Sequence, residues 1–260
     1  MRKRYLICIL SVFLLLCCTL QAVAAGGGYS FYCVRQKAHR KPQLEPEFAF
    51  IEDYDAYYID RTRSEGDADK VVYLTFDAGY ENGNVERILN TLHEREVPGA
   101  FFILKHFLTK NTDLVERMIK EGHIVCNHTA HHKNLANADA ALIKREISEL
   151  SEAYKELMGG EMPRYFRPPE GRFSREMLQC VQNLGYKTVF WSFAYADWDN
   201  EKQPREEDAI RLILDNLHNG AVLLLHPTSA TNAAILGRVI DAIRAEGYRF
   251  GTLDELCAAR

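Results

Sequence analysis

The sequence predicts an α/β fold in which a parallel sheet curls into a closed or partly open barrel, and three observations carry that prediction. From residue 69 onward, short apolar runs alternate with amphipathic stretches of helical length, the pattern of repeated βαβ units. Six or seven such units follow one another within about 190 residues, which suits a barrel better than a doubly wound sheet with its ligand crevice at one edge. Polar residues able to do chemistry fall just past the ends of successive apolar runs, at Asp77, Asn127 and His128, Arg167, Asp197 and His226, as they would around one barrel mouth.

Taken in order, the chain opens with Arg2-Lys3-Arg4, an uncharged apolar run from Tyr5 to Leu20, and the small-x-small pattern Ala22-Val23-Ala24. The run falls short of the roughly 20 residues a spanning helix needs. Residues 1–25 are therefore read as a secretory signal peptide, with an uncleaved anchor as the alternative, and the protein is expected to be secreted or on the cell-envelope side of the membrane. Leu16 stands where a small residue would precede a lipidated cysteine, which argues against a lipoprotein. Loss of Arg2, Lys3 and Arg4 takes the formal net charge from −4 to −7, so no electrostatic case for nucleic acid exists. Cys33, Cys126, Cys180 and Cys257 lie beyond the signal, too sparse for a disulfide scaffold and without C-x-x-C spacing. Cys126, in the apolar run His123-Ile124-Val125-Cys126, is expected to be buried and inert. A composition of 47% hydrophobic and 26% charged residues excludes disordered and fibrous classes.

Residues 26–68 are read as an N-terminal linker and strap. Gly26-Gly27-Gly28 and the stretch to Lys41 mix glycine, tyrosine and the basic residues Arg35, Lys37, Arg40 and Lys41 without periodicity, as a flexible tether would. Tyr54-Asp55-Ala56-Tyr57-Tyr58-Ile59 reads as a strap packed on the domain that occupies 69–260. Within that domain Val71-Val72-Tyr73-Leu74-Thr75-Phe76 is rich in β-branched and aromatic residues and gives a buried strand over 71–77. Gly79 allows a tight exit from it. The pattern continues with a helix near 84–96, a strand at 100–104, a helix at 111–121, a strand at 123–127 and a helix at 139–158. Tyr165-Phe166 follows as a short apolar piece, then helix 174–184, strand 187–192, helix 206–218, strand 221–226, helix 231–246, a short strand at 249–251 and a last helical turn from Leu253.

Asp77 is a strand-end carboxylate in a position for catalysis or, since Glu81-Asn82 and an amphipathic run follow, for capping a helix. In Asn127-His128-Thr129-Ala130-His131-His132, residues 128 and 132 share a face if the segment turns helically, which would put two imidazoles on one metal and aim His131 elsewhere. Neutral imidazoles suit zinc, cobalt, iron or nickel, and the residues do not choose among them; a divalent metal is expected, zinc foremost, with manganese a further alternative. Arg167-Pro168-Pro169-Glu170-Gly171 is either a rigid loop that holds a guanidinium for gripping a carboxylate or a surface turn. In the run from Val189 to Trp198, Asp197 is a strand-end acid and Trp198 a sugar-stacking platform or a core residue. His226, followed by Pro227, ends a fully apolar strand as a catalytic or a buried structural histidine. Together these supply a metal pair, a carboxylate base, an arginine to set the base and a second histidine as acid, the parts of metal-assisted hydrolysis.

From about Asp69 to its C-terminus the chain resembles the NodB-homology polysaccharide deacetylases, carbohydrate esterase family four. Thr75-Phe76-Asp77-x-Gly79 looks like the family's first motif, His128-Thr129-x-x-His132 the second and Arg167-Pro168-Pro169-x-Gly171 the third. Asp197-Trp198 looks like the end of the fourth and Leu223-x-x-His226 the fifth. Tyr80-Glu81-Asn82-Gly83, the run from Phe190 to Trp198 and the tyrosine strap are similar to the delta-lactam-biosynthetic de-N-acetylase branch. The resemblance implies a distorted (β/α) barrel of the NodB-homology type. It also implies metal-dependent de-N-acetylation of peptidoglycan muramic acid on the way to the muramic delta-lactam of spore cortex. Alternatives are a deacetylase of N-acetylglucosamine in peptidoglycan or chitin-like polymers, and a glycan-binding pseudoenzyme.

The roles so implied are Asp77 as base set by Arg167, His226 as acid assisted by Asp197, and His128 and His132 as metal ligands. Gly79, Tyr80, Pro168 and Trp198 would meet the glycan. The expected partner is the peptidoglycan strand, with no nucleic acid and no protein partner. Two positions depart from the family pattern. Ala78 stands where a second aspartate usually ligates the metal, a position that is often asparagine in the resembled branch, and Lys133 replaces the usual proline.

Overall fold

The computed structural model describes residues 28–36 and 38–258, so the signal-peptide reading of 1–25 lies outside the described residues, as do Gly26, Gly27 and Lys37. Four short strands come first: β1 (Tyr29–Ser30), β2 (Cys33–Val34), β3 (Gln43–Leu44) and, after a 3-10 helix at Pro46–Tyr54, β4 (Ala56–Tyr57). The alternating part runs β5 (Lys70–Ala78), α1 (Asn84–Glu94), β6 (Ala100–Ile103), α2 (Lys105–Lys110), α3 (Thr112–Lys120), β7 (Ile124–Asn127) and α4 (Ala140–Met158). It continues with β8 (Tyr165–Phe166), a 3-10 turn at Pro169–Gly171, β9 (Arg172–Phe173), α5 (Arg175–Asn183), β10 (Lys187–Val189) and α6 (Glu206–Asp215). β11 (Ala221–Leu225), α7 (Ala230–Ala245), β12 (Tyr248–Phe250) and α8 (Leu253–Ala258) complete it.

The main sheet has the order β11-β5-β6-β7-β8-β10-β4, and β12 also pairs with the start of β5. Every pairing between its strands is parallel. Two bridges carry one end of the sheet back to the other. Ile59, just past β4, meets Ala221 of β11, and Phe193, just past β10, meets Leu223. The result is a curled, partly open barrel of the kind the alternation predicts, distorted as the resemblance implies, with a seam of isolated bridges in place of a full ladder. This seam also explains why the strand expected over 187–192 stops at Val189. Phe190 still donates its amide to Tyr57, but Ser192 and Phe193 donate to Val222, so the chain crosses from one neighbour to the other.

β5 is central because it is apolar on both faces. Val72, Leu74 and Phe76 pack with α1 and α7, whereas Val71 and Tyr73 face inward with Phe102, Cys126, Val189 and Val222. The period of two then aims Thr75 and Asp77 into the barrel. Cys126 is fully buried and burial pushes its thiol up, as expected of an inert cysteine, and none of the four described cysteines is in a disulfide.

The tether reading is corrected for the described residues from 28 onward. β1 pairs antiparallel with β9, and the Phe31 ring stacks on Phe190 at 4.2 Å between centroids and 16° between planes. Phe48, Phe50, Ile51 and Tyr58 join Phe173 in the same apolar cluster. The segment lacks periodicity because it docks through two-residue strands and scattered aromatics. β4 belongs to the main sheet, so a boundary at residue 68 cuts that sheet. A helix that the pattern did not suggest, α2, precedes the expected one and breaks from it at Asn111.

Candidate active site

Arg167 lies at the centre of the barrel mouth, directly after β8. Its side chain is completely buried, with the guanidinium 4.1 Å from the centre of the Phe102 ring. Nε donates to the Val189 carbonyl at 2.8 Å, and Nη2 to Thr75 Oγ1 at 2.9 Å and the Phe190 carbonyl at 3.0 Å. Nη1 donates to Asp77 Oδ1 at 2.8 Å. A guanidinium sealed in this way needs a counter-charge, and Asp77 is the one that faces it. The backbone carbonyl of Arg167 takes a hydrogen bond from His128 Nδ1 at 2.8 Å, so one residue orients both the carboxylate and the first imidazole.

Pro168 and Pro169 make this placement possible. Pro168 sits at φ −70° and ψ 137°, and both prolines are buried. Burial leaves the Pro168 ring little surface for the glycan contact expected of it and sets it as a support for the backbone of Arg167.

His128 and His132 do come together, with ring centroids 5.1 Å apart and planes at 67°. The helical turn expected between them is absent. Thr129 (φ 76°) and His132 (φ 55°) are left-handed, and side chains satisfy the turn. Asn127 Oδ1 accepts from the Thr129 amide and Thr129 Oγ1 from the His132 amide, each at 2.9 Å. His131 turns away, about half exposed, to Glu146 on α4.

On the opposite side of the mouth, His226 follows β11 and Asp197 follows the seam. Asp197 is wholly buried. Its Oδ1 accepts from His226 Nδ1 at 2.7 Å, and its Oδ2 from the His226 amide at 2.8 Å and Asn232 Nδ2 at 2.6 Å. Tyr195 donates its hydroxyl to Asn232 Oδ1, which fixes the asparagine. Trp198 lies alongside, 60% exposed, with its ring centre 6.1 Å from that of His226. It is therefore not a core residue. Tyr80 is 44% exposed and its hydroxyl accepts from Asn200. At Gly79 an added Cβ would come within 3.2 Å of Leu104 Cδ1, a tight contact that the leucine side chain would have to relieve by a few tenths of an ångström.

The protein environment drives the two titratable groups apart. Burial alone would favour the protonated form of Asp77, but the charge of Arg167, then His128 and His226, holds the carboxyl below its ordinary range. Burial alone would favour neutral His226, but the hydrogen bond and charge of Asp197, with Asp77 behind, raise it above its ordinary value. At His128, burial prevails over the pull of Asp77 and the imidazole falls to about 4.

Among the described residues, no cluster of three or more histidine, cysteine, aspartate or glutamate side chains is arranged to hold a metal. The donor chemistry nevertheless fits a divalent cation. With Nδ1–H of His128 donated to Arg167, its Nε2 carries a lone pair, which faces Asp77 Oδ2 across 3.6 Å, and His132 is exposed beside it. Ala78 offers only a carbonyl, already accepting from the Leu104 amide at 3.3 Å.

Sequence reasoning missed Asn232, Tyr195 and Glu146. All three lie within helices or apolar runs, and no local pattern marks them. Thr75 was discoverable, because it precedes Asp77 by one period of the strand.

A family model described as polysaccharide deacetylase matches residues 64–189. An uncharacterised 30.6 kDa protein of Geobacillus stearothermophilus is 40% identical over 220 residues, which cover 84% of this chain and 81% of that protein. The peptidoglycan-N-acetylmuramic acid deacetylase PdaA of Bacillus subtilis is 37% identical over 223 residues, covering 85% of this chain and 83% of that protein. The solved structure of B. subtilis PdaA, a family 4 carbohydrate esterase, matches with a TM-score of 0.83 at 36% identity, over 88% of this chain and 97% of that one.

Proposed function

Because this chain belongs to the polysaccharide deacetylase family, hydrolases of carbon–nitrogen bonds, we propose that it removes the N-acetyl group from muramic acid residues of peptidoglycan, leading to the muramic delta-lactam. The observation that carries the chemistry is the opposed pair at the mouth, a carboxylate bound by Arg167 and shifted down, and an imidazole bound through Nδ1 to Asp197 and shifted up. The substrate choice rests on similarity to PdaA and on the branch-like runs from Tyr80 to Gly83 and from Phe190 to Trp198.

In this reading Asp77 takes a proton from the water that attacks the acetamide carbonyl, while Arg167 occupies Oδ1 and leaves Oδ2 to do so. The carbon–nitrogen bond then breaks and His226 protonates the departing amine, with Asp197 stabilising the imidazolium. Acetate and a free C2 amine result. A divalent metal held by His128 and His132, zinc first among the candidates, would supply Lewis-acid polarisation of the carbonyl. Tyr80 and Trp198, the exposed aromatics at the rim, would stack on neighbouring sugars. The glycan lies outside the cell membrane, which agrees with the secretory signal proposed for residues 1–25.

Two neutral imidazoles without the aspartate that Ala78 replaces should hold the cation weakly. Dialysis against a chelator is expected to abolish deacetylation and added zinc to restore it, with both followed by acetate release. Activity that survives exhaustive chelation would exclude the metal.

The substrate reading makes a sharper prediction. The freed amine at C2 and the lactyl carboxyl on O3 of the same sugar close a six-membered lactam with loss of water, an intramolecular step favoured by proximity. A stem peptide on that carboxyl would prevent closure, so muramic acid residues stripped of peptide are the expected substrate. Glycan strands with and without stem peptides, treated with the enzyme and examined by mass spectrometry, should lose acetyl only in the stripped sample. Equal loss from N-acetylglucosamine would make the chain a general peptidoglycan deacetylase.

A further inference from the structure

Resting on the metal-assisted reading above, we infer that Glu146 is a positioning residue that sets the spacing of His128 and His132. Glu146 lies on the face of α4 that carries Ile143, Ile147 and Leu150 into the core, and its side chain is wholly buried. A carboxylate there is costly unless it is fully paired. All of its partners come from one short stretch. Oε2 accepts from the His131 amide at 2.9 Å, and Oε1 lies 3.1 Å from His131 Nδ1 and 2.9 Å from Lys133 Nζ. Its main-chain carbonyl accepts from the Ala130 amide at 2.9 Å.

The stretch so gripped is the one between the two imidazoles. It is neither helix nor strand, and it holds Thr129 and His132 at left-handed φ. For Thr129, which is β-branched, this is a real outlier. Such conformations persist only where the surroundings over-determine them. Within the segment the Thr129 and His132 amides are satisfied by Asn127 and Thr129, and those of Ala130 and His131 by Glu146 alone. Glu146 therefore fixes the middle of the turn, and the 5.1 Å ring separation follows from that. Lys133 adds a cation to the same oxygen that faces His131, which keeps the buried carboxylate paired from outside the turn.

The test compares wild type, Glu146→Gln, Lys133→Met and, as a control on the exposed face of α4 away from the turn, Glu152→Gln. Zinc affinity is measured by titration calorimetry and backbone amide exchange on the metal-free proteins. Glu146→Gln is expected to weaken zinc binding by about 10–100-fold, as loss of groups that orient metal ligands typically does. It should also speed exchange at residues 129–132 while the β5 and β11 amides keep wild-type protection. Raising zinc should recover most of kcat. Lys133→Met should move both quantities in the same direction by less, which keeps the test available if the glutamine variant does not fold. Unchanged affinity and unchanged exchange in folded Glu146→Gln, or equal effects from Glu152→Gln, would overturn the inference. Faster loop exchange in a protein whose wild type binds no zinc would sustain Glu146 as the anchor of the turn and remove the metal from the proposed function.

Discussion

Replacement of Asp77 by asparagine is expected to lower kcat/KM by about 10²–10⁴-fold, the range general-base assistance contributes. Asparagine keeps the shape and an oxygen for Arg167 Nη1, and the guanidinium retains Val189, Phe190 and Thr75 as acceptors, so the fold and the imidazole pair should persist. What disappears is the negative charge that accepts a proton. The thermal midpoint should fall as well, because a sealed guanidinium loses its counter-ion. The wild-type pH dependence carries the same signature. A carboxyl whose folded pKa is depressed contributes stability above its unfolded value, and that contribution is lost as pH falls through the folded one. For Asp77 both the acid limb of kcat/KM and the associated loss of stability should therefore lie below the ordinary 3.8. Retention of wild-type activity by Asp77→Asn, with metal content checked by elemental analysis, would remove Asp77 from the role of base.

Loss of the imidazole at position 226 should be nearly as damaging, again by about 10²–10⁴-fold. An amine cannot leave as an anion, and His128, driven down to about 4, has no proton to give near neutrality. His226 is raised above its ordinary 6.5, chiefly by Asp197 against the opposing effect of burial, so the alkaline limb of kcat/KM should lie above that value. The sign for stability is opposite to that of Asp77. The contribution of protonated His226 is complete below 6.5 and is lost as pH rises through the folded value. The charged groups that set this limb are Asp197, Asp77 and Arg167, so the measured value belongs to the coupled set. Asp197→Asn should move the alkaline limb to lower pH, and His226→Gln should abolish it. A limb that survives in His226→Gln would assign the acid to another residue.

The elements were legible because hydrophobic periodicity is local. β5 could be placed from Val71 to Phe76 alone, and its period of two ties Asp77 to the face of Val71 and Tyr73, which only their packing neighbours show to be the inner one. Residues that end strands also announce themselves, so His128, Arg167 and His226 could be found one by one. The turn between His128 and His132 was less legible, since a spacing of four suggests a helix, and the left-handed path is held by the grip of Glu146 together with the side chains of Asn127 and Thr129. Pro168 next to Arg167 reads equally well as a wall of the cleft or as a buttress, and its burial favours the buttress.

By itself, then, the sequence determined the alternation of strands and helices, the polar residues at the strand ends and the membership of Asp77, Arg167 and His226 in one motif set. Only the tertiary structure decided that the segment from residue 28 packs on the barrel, that Asn232 and Tyr195 brace Asp197, and that Glu146 braces the histidine turn. The physical reason is separation along the chain. Asn232 and Asp197 lie 35 residues apart, and Arg167 and Asp77 lie 90 apart. Whether two such polar groups meet depends on how a curled sheet brings distant strand ends together, which no local pattern of residues encodes.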